Sequence, residues 1–366
     1  MSTHLLVLAV IAMAALVGVV AIVVAVVAGG LAASGRRQVQ LVGGGPLPRD
    51  PSVAYRRARR HAAVTALLSW GVAAVVAFPV GGLLARGHGV LDGAPGLGVA
   101  LLPTTFGLTL LAIAAVGELT WPRPEGSVRS AALAPRRLGA LTPRGLRLLT
   151  WAWAGTLTVV LLVTGLTAAA GGRTFRVQWA SDGASSESGP YPGWPYAGPL
   201  IVAGLLVLAA AEIVLRLIAR RPAVADTVTA DDERLRRASA RRVLAGAQLV
   251  LAGTLAGVLF TTGITLRSAA STTFGWATAT QSVTTTLVAP GVRFAAVVAI
   301  VSGLSVALTG IAVTMVALAQ AATEAGPVPT GAPASGPVPV APARGGAAPR
   351  DQAALSPAEG PAGDAP

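Results

Sequence analysis

The chain has 366 residues, 53% of them hydrophobic and only 12% charged, with a mean hydropathy of +0.68; an ordinary soluble domain carries about a quarter charged residues, so a water-soluble globular fold is excluded. Cys, Lys and Asn are absent, all 28 basic residues are Arg, and the net charge is +13. Disulfides, thiolate nucleophiles, Cys-ligated zinc, iron–sulfur clusters, Schiff-base lysines and the lysine of a phosphate-binding loop are thereby ruled out, which leaves an all-α integral membrane protein.

Seven runs of at least 22 residues contain no Asp, Glu, Lys or Arg and are rich in Leu, Val, Ala and Ile. Each is long enough to cross a hydrocarbon core of about 30 Å as a helix. Backbone N–H and C=O groups find no water in lipid, so such runs close their hydrogen bonds within a helix. The expected spans are 5–28, 62–85, 98–117, 148–170, 198–219, 243–266 and 294–319, within a transmembrane domain over 1–320. No basic residue precedes Arg36, and the first apolar run far exceeds the core of a signal peptide, so it reads as a retained span. The fifth span takes in two charges, Glu212 and Arg216.

Arg is unevenly shared between the connections. Those after spans 1, 3 and 5, together with Arg216 and the tail, hold 23; the others hold five, Arg86, Arg173, Arg176, Arg267 and Arg293. Cytoplasmic loops retain positive charge, so the N-terminus is expected outside and the C-terminus in the cytoplasm of a plasma-membrane protein. The Arg-rich connections are expected to attract anionic inner-leaflet lipids at about 1 kcal/mol per residue. No aromatic side chains are interleaved with them as single-stranded nucleic acid would require, so nucleic acid is not an expected partner.

Each Arg-rich connection is expected to end in a capped helix running into the next span. Asp50-Pro51 precedes 54–60, Thr142-Pro143 precedes Arg144 and Arg147, and Thr229 stands three residues before Asp232. Asp232 with Arg236 and Glu233 with Arg237 have the i,i+4 spacing of helix-surface ion pairs. The order of cap, Arg-rich turn, outward span, loop and inward span recurs three times. It fits one helix followed by three helical hairpins, either true duplicates or the product of the positive-inside rule alone. Residues 321–366, dominated by Ala, Pro and Gly, are expected to be disordered.

Two connections on the expected outer side are more than turns. Residues 174–181 alternate Phe175, Val177 and Trp179 with Arg176 and Gln178 in a half-buried strand pattern, and 271–288 is Thr-rich with Phe274 and Trp276 two apart. A small outer β element is expected there. Phe175, Trp179, Tyr191, Trp194, Tyr196 and Trp276 form either an aromatic belt at the headgroup level or a binding surface.

Glu212 lies eight residues from Arg220, roughly 12 Å into the membrane, with Arg216 one turn away. Intramembrane carboxylates are costly and mark solute or proton paths by default, while a self-neutralising Glu212–Arg216 pair is the structural alternative. His4, His61 and His88 sit at span ends, where interfacial solvation accounts for them; neither a haem pair nor a metal site is expected, and no cofactor. Gly253 and Gly257 form a GxxxG in span 6, expected to pack helices closely, within the bundle in the first reading and between two chains in the second. No nucleophile, base and orienting group share a recognisable spacing, so no catalytic residue is assigned.

On 118–124 (ELTWPRP) and 190–200 (PYPGWPYAGPL), with the Arg-only, Ala-rich composition, the chain resembles multi-pass membrane proteins of high-GC actinobacteria to which no activity is assigned. The resemblance implies a source and no functional residues. The expectation is a non-enzymatic accessory or scaffold protein of the cell envelope that meets a membrane or extracytoplasmic protein through its outer loops. The alternative is a small-solute permease using the buried Glu–Arg pair.

Overall fold

The computed structural model describes residues 53–85, 96–122, 142–179, 184–224, 229–277 and 282–325. They belong to one compact unit and are mostly helical. The helices are α1 (Val53–Ala85), α2 (Leu102–Leu119, entered through a single turn, Leu97–Ala100), α3 (Arg144–Thr167), α4 (Trp194–Arg220), α5 (Thr229–Ala269) and α6 (Pro290–Glu324). All six are long and apolar enough to cross a membrane. The expected span at 5–28 lies outside the described residues, as does the tail from 326.

Two of the six helices, α1 and α5, start well before the expected span. Arg is a good helix former whose charged head reaches water while its stem lies on apolar surface, so the Arg-rich turns remain helical. The turn at 54–60 thus joins span 2 in α1, and α5 runs 41 residues unbroken from Thr229. At α3 Pro143 occupies the N-cap with an extended backbone and no side-chain cap bond.

Within the bundle α5 is the central element, in contact with α1, α2, α3, α4 and, most extensively, α6. Its apolar window is 78% buried, whereas that of α1 is 11% buried. One core runs through the bundle, with Leu149, Trp153, Leu157 and Val160 of α3 against Val207, Ala211 and Leu215 of α4 and Leu244, Leu251 and Leu255 of α5. Large apolar side chains also face outward, among them Leu67, Leu166, Phe294 and Leu308. So much exposed hydrocarbon is an aggregation surface in water and an ordinary one in lipid.

Close helix contact comes from glycines other than the expected pair. A Cβ at Gly263 would lie 2.6 Å from Ile300, and one at Gly303 3.0 Å from the Ala256 carbonyl oxygen, so α5 and α6 meet nearly backbone to backbone. Gly253 and Gly257 face open space instead, which corrects their assignment to packing inside the bundle. A GxxxG spacing fixes a face of the helix but leaves its direction to the rest of α5.

At one end of the bundle two connections form antiparallel hairpins. Strand β1 (Phe175–Gln178) pairs with β2 (Ser185–Ser188), Phe175 opposite Ser188; β3 (Ser271–Ala277) pairs with β4 (Ser282–Val288), Ser271 opposite Val288. They are two separate two-stranded sheets. The first hairpin and the adjoining helix ends share a small core of Phe175, Tyr191, Leu266, Ala269, Val292 and Ala296. This is the hairpin end; the opposite one, where most of the described arginines gather, is the arginine end.

Candidate functional site

Glu212 is the acid that α4 carries into the apolar region, and burial of an unpaired carboxylate there is costly. Its partner is Arg147, from the first turn of α3, rather than Arg216. Arg147 Nε donates to Oε1 at 2.7 Å and Nη2 to Oε2 at 2.8 Å, a two-pronged pair, and Trp151 Nε1 donates to Oε1 at 3.0 Å. Arg147 and Trp151 are one turn apart and so project from the same face of α3. The i,i+4 spacing made Arg216 the natural expectation, but Arg216 is exposed while Glu212 faces α3. Both carboxylate oxygens are occupied, so the group clamps α3 to α4. The sequence signal missed was an Arg and a Trp four residues apart at the edge of the fourth span.

At the arginine end each buried acid is tied to an arginine across or along helices. Arg236, 1% exposed, pairs with Asp232 at 2.7 Å and donates to the carbonyls of Ile218, Ala219 and Arg221, the open C-terminal end of α4. Arg241 binds Gln320 and Glu324 of α6, the latter at 3.1 Å. Arg221, just past α4, reaches Glu118 at the end of α2 (3.3 Å) and Ser239 of α5 (3.4 Å), and lies 3.8 Å above the Trp121 ring. Burial pulls the Arg221 guanidinium below its ordinary pKa and Glu118 pushes it back up; an arginine remains charged through such shifts. Asp232–Arg236 therefore forms as the spacing indicated, whereas Arg237 reaches the backbone carbonyl of Glu233 instead of its carboxylate.

Beside this network a half-open cleft lies between α1, α2 and α5. One half is polar, lined by His61, Glu118, Ser239 and Arg242; the other is apolar, lined by Ala66, Trp70, Leu110 and Ala114. His61 Nε2 is 2.9 Å from the Gly117 carbonyl oxygen and its ring stands edge-on to Trp121 at 5.6 Å. Trp121 is buried, and its indole N–H has no acceptor among the described residues. The sequence offered only residue types here: His61 reads as interfacial, and nothing in the spacing joins α1, α2 and α5. No group of three His, Cys, Asp or Glu able to hold a metal occurs among the described residues.

At the hairpin end the six aromatic positions divide. Phe175, Tyr191 and Tyr196 are buried, so they are core rather than surface. Phe175 and Tyr191 pack with ring centroids 5.3 Å apart, the Tyr191 hydroxyl is 2.6 Å from Thr167 Oγ1, and its backbone N–H donates to the Arg173 carbonyl at 2.7 Å. Burial pushes the Tyr191 hydroxyl up to about 12, against the pull of the Thr167 bond. Trp179 is half-buried and Trp194 about half exposed, while Trp276 lies in β3 opposite Val283. On the hairpin surface Arg176 pairs with Glu187, which Thr174 also contacts; these bonds, that of Thr174 first, hold the Glu187 carboxyl below its usual pKa.

No protein-family model matches the chain, and no match was found among curated proteins or among solved structures. The reading of its function therefore rests on the site geometry.

Proposed function

We propose that the protein is a non-enzymatic accessory or scaffold protein of the cell envelope, held in the plasma membrane with its N-terminus outside and its C-terminus in the cytoplasm, and that it works through the hairpin end. The orientation is supported by the 23-to-five division of Arg between the two sets of connections. The functional reading is carried by a division of labour between the ends. Among the described residues, the acids buried in the bundle and at the arginine end are each engaged by an arginine, so their charges join helices. At the hairpin end an apolar core holds β1 and β2 against the helices and leaves Arg176, Glu187 and Trp194 at the surface, a pre-ordered face for a protein partner in or outside the membrane. A permease built on Glu212 is disfavoured by the same geometry, because both oxygens of that carboxylate are held by Arg147 and Trp151.

The test is purification in a gentle detergent with mass spectrometry of the proteins retained. The variant carries Arg176→Ala and Trp194→Ala together and keeps the buried Phe175 and Tyr191. Loss of specific co-purifying proteins with an unchanged unfolding midpoint is expected. Retention of every partner by the double variant sinks the proposal.

A further inference from the structure

The cleft at the arginine end has the shape and charge of a seat for an amphiphile. Arg242 carries its uncompensated charge: it is half-buried on α5 and makes no hydrogen bond or ion pair with the described residues, while its neighbour Arg241 is taken by Glu324. The acid in the cleft does not neutralise it, since Glu118 is engaged by Arg221. A guanidinium withdrawn from water without an acceptor is costly, and Arg is suited to the planar, two-pronged binding of phosphate. Trp121 lines the same cleft, and its buried indole N–H lacks an acceptor among the described residues. Ser239, whose hydroxyl oxygen accepts from Arg221, also lines it.

The apolar half says what the rest of the ligand is. From the polar half it continues along Thr65, Ala66 and Trp70 of α1 and Leu110 and Ala114 of α2, and α1, the least buried of the six helices, flanks it toward the lipid. The polar half stands where the apolar run of α5 begins, directly after Arg241 and Arg242, and where that of α2 ends, at Glu118. That level is the boundary between hydrocarbon and headgroups, where a phosphate and an acyl chain lie together.

We propose that this cleft binds one anionic phospholipid, its phosphate held by Arg242 with the Trp121 N–H as a second donor and an acyl chain lying against Trp70, Leu110 and Ala114. The site differs from a diffuse attraction of lipid to the Arg-rich connections: it is saturable, holds one lipid per chain, and depends on one guanidinium out of many. It requires only that the bundle sit in a membrane, and it stands or falls apart from the partner proposed for the hairpin end.

Native mass spectrometry of the full chain in mixed micelles, titrated with phosphatidylglycerol or phosphatidylcholine, tests it. One phosphatidylglycerol is expected to be retained in preference to phosphatidylcholine. Arg242→Gln is expected to weaken that retention by about tenfold or more, the order of one charge-assisted bond, while Arg60→Gln, which removes an exposed charge from α1, leaves it unchanged. Ala114→Phe keeps the charge and fills the apolar half, and it too is expected to expel the lipid; it decides the matter if Arg242→Gln does not fold. Equal losses in Arg242→Gln and Arg60→Gln, equal retention of the two lipids, or a lipid still bound in Ala114→Phe would each overturn the proposal. Inorganic phosphate raising the unfolding midpoint as much as phosphatidylglycerol does would show a phosphate site with no place for the lipid.

Discussion

A buried guanidinium in this protein does the work of a helix cap. The last carbonyls of any helix lack partners in the helix itself, and at the end of α4 they are met by Arg236, which Asp232 holds in place. Arg236→Met keeps much of the volume but leaves three carbonyls and one buried carboxylate unmet, so a loss of about 3–5 kcal/mol is expected, read as a lowered unfolding midpoint in detergent. Adding Asp232→Ala to it should recover part of the loss, because the stranded charge is then gone. Tyr191 gives a pH signature. Its folded pKa of about 12 lies above the ordinary 10.0, so burial stabilises the protonated phenol. That contribution, roughly 2 to 3 kcal/mol, is complete below pH 10 and is lost as the pH rises toward 12. The unfolding midpoint of the native chain should therefore fall over this window more steeply than that of Tyr191→Phe, and parallel curves would contradict the assignment. At this scale the sequence was only half legible: Glu212 stood out as a buried acid needing a cation, yet its cation is 65 positions away on another helix, and spacing along one helix pointed to Arg216.

Between helices the deciding variable is which way a small residue faces. Gly263 and Gly303 sit where α5 and α6 touch, and a methyl group at Gly263 would press on Ile300 and on the Ala296 carbonyl. Gly263→Val is expected to force the two helices apart at a cost of about 1–3 kcal/mol, seen as a lower unfolding midpoint. Gly253→Ala and Gly257→Ala meet nothing and remove flexible residues from a helix interior, so each is expected to be neutral or stabilising by up to about 1 kcal/mol. A marked destabilisation by Gly253→Ala would mean that this face is packed after all. The helices themselves were readable within a few residues at most ends because lipid forbids any other way of satisfying the backbone. Their faces were not, because spans made of Ala, Gly, Val and Leu present much the same surface all round and carry no amphipathic stripe from which to read an inside. In the hairpins β1 lies within the alternating stretch 174–181 and Phe175 is core, while Tyr191 is buried although a Pro- and Gly-rich loop carries no period to reveal it.

For the molecule as a whole, the proposals meet in the assignment of sides. Moving an arginine across the membrane during insertion is unfavourable, so guanidinium groups record which connections stayed in the cytoplasm. The proposed orientation accordingly has the arginine end facing inward and the hairpin end, with Arg173, Arg176, Arg267 and Arg293, facing out. The absence of Cys allows this to be tested with one thiol at a time. Ser185 in β2 and Glu233 in the first turns of α5 are both exposed, at opposite ends of the bundle, and Glu233 has no side-chain partner among the described residues to disturb. Ser185→Cys is expected to react with a membrane-impermeant maleimide in intact cells, and Glu233→Cys only once the cells are opened. The reverse pattern would place the hairpins in the cytoplasm and remove the extracytoplasmic partner. It would leave the lipid cleft where it is, since Arg242 would then meet the headgroups of the other leaflet with the same unmet charge.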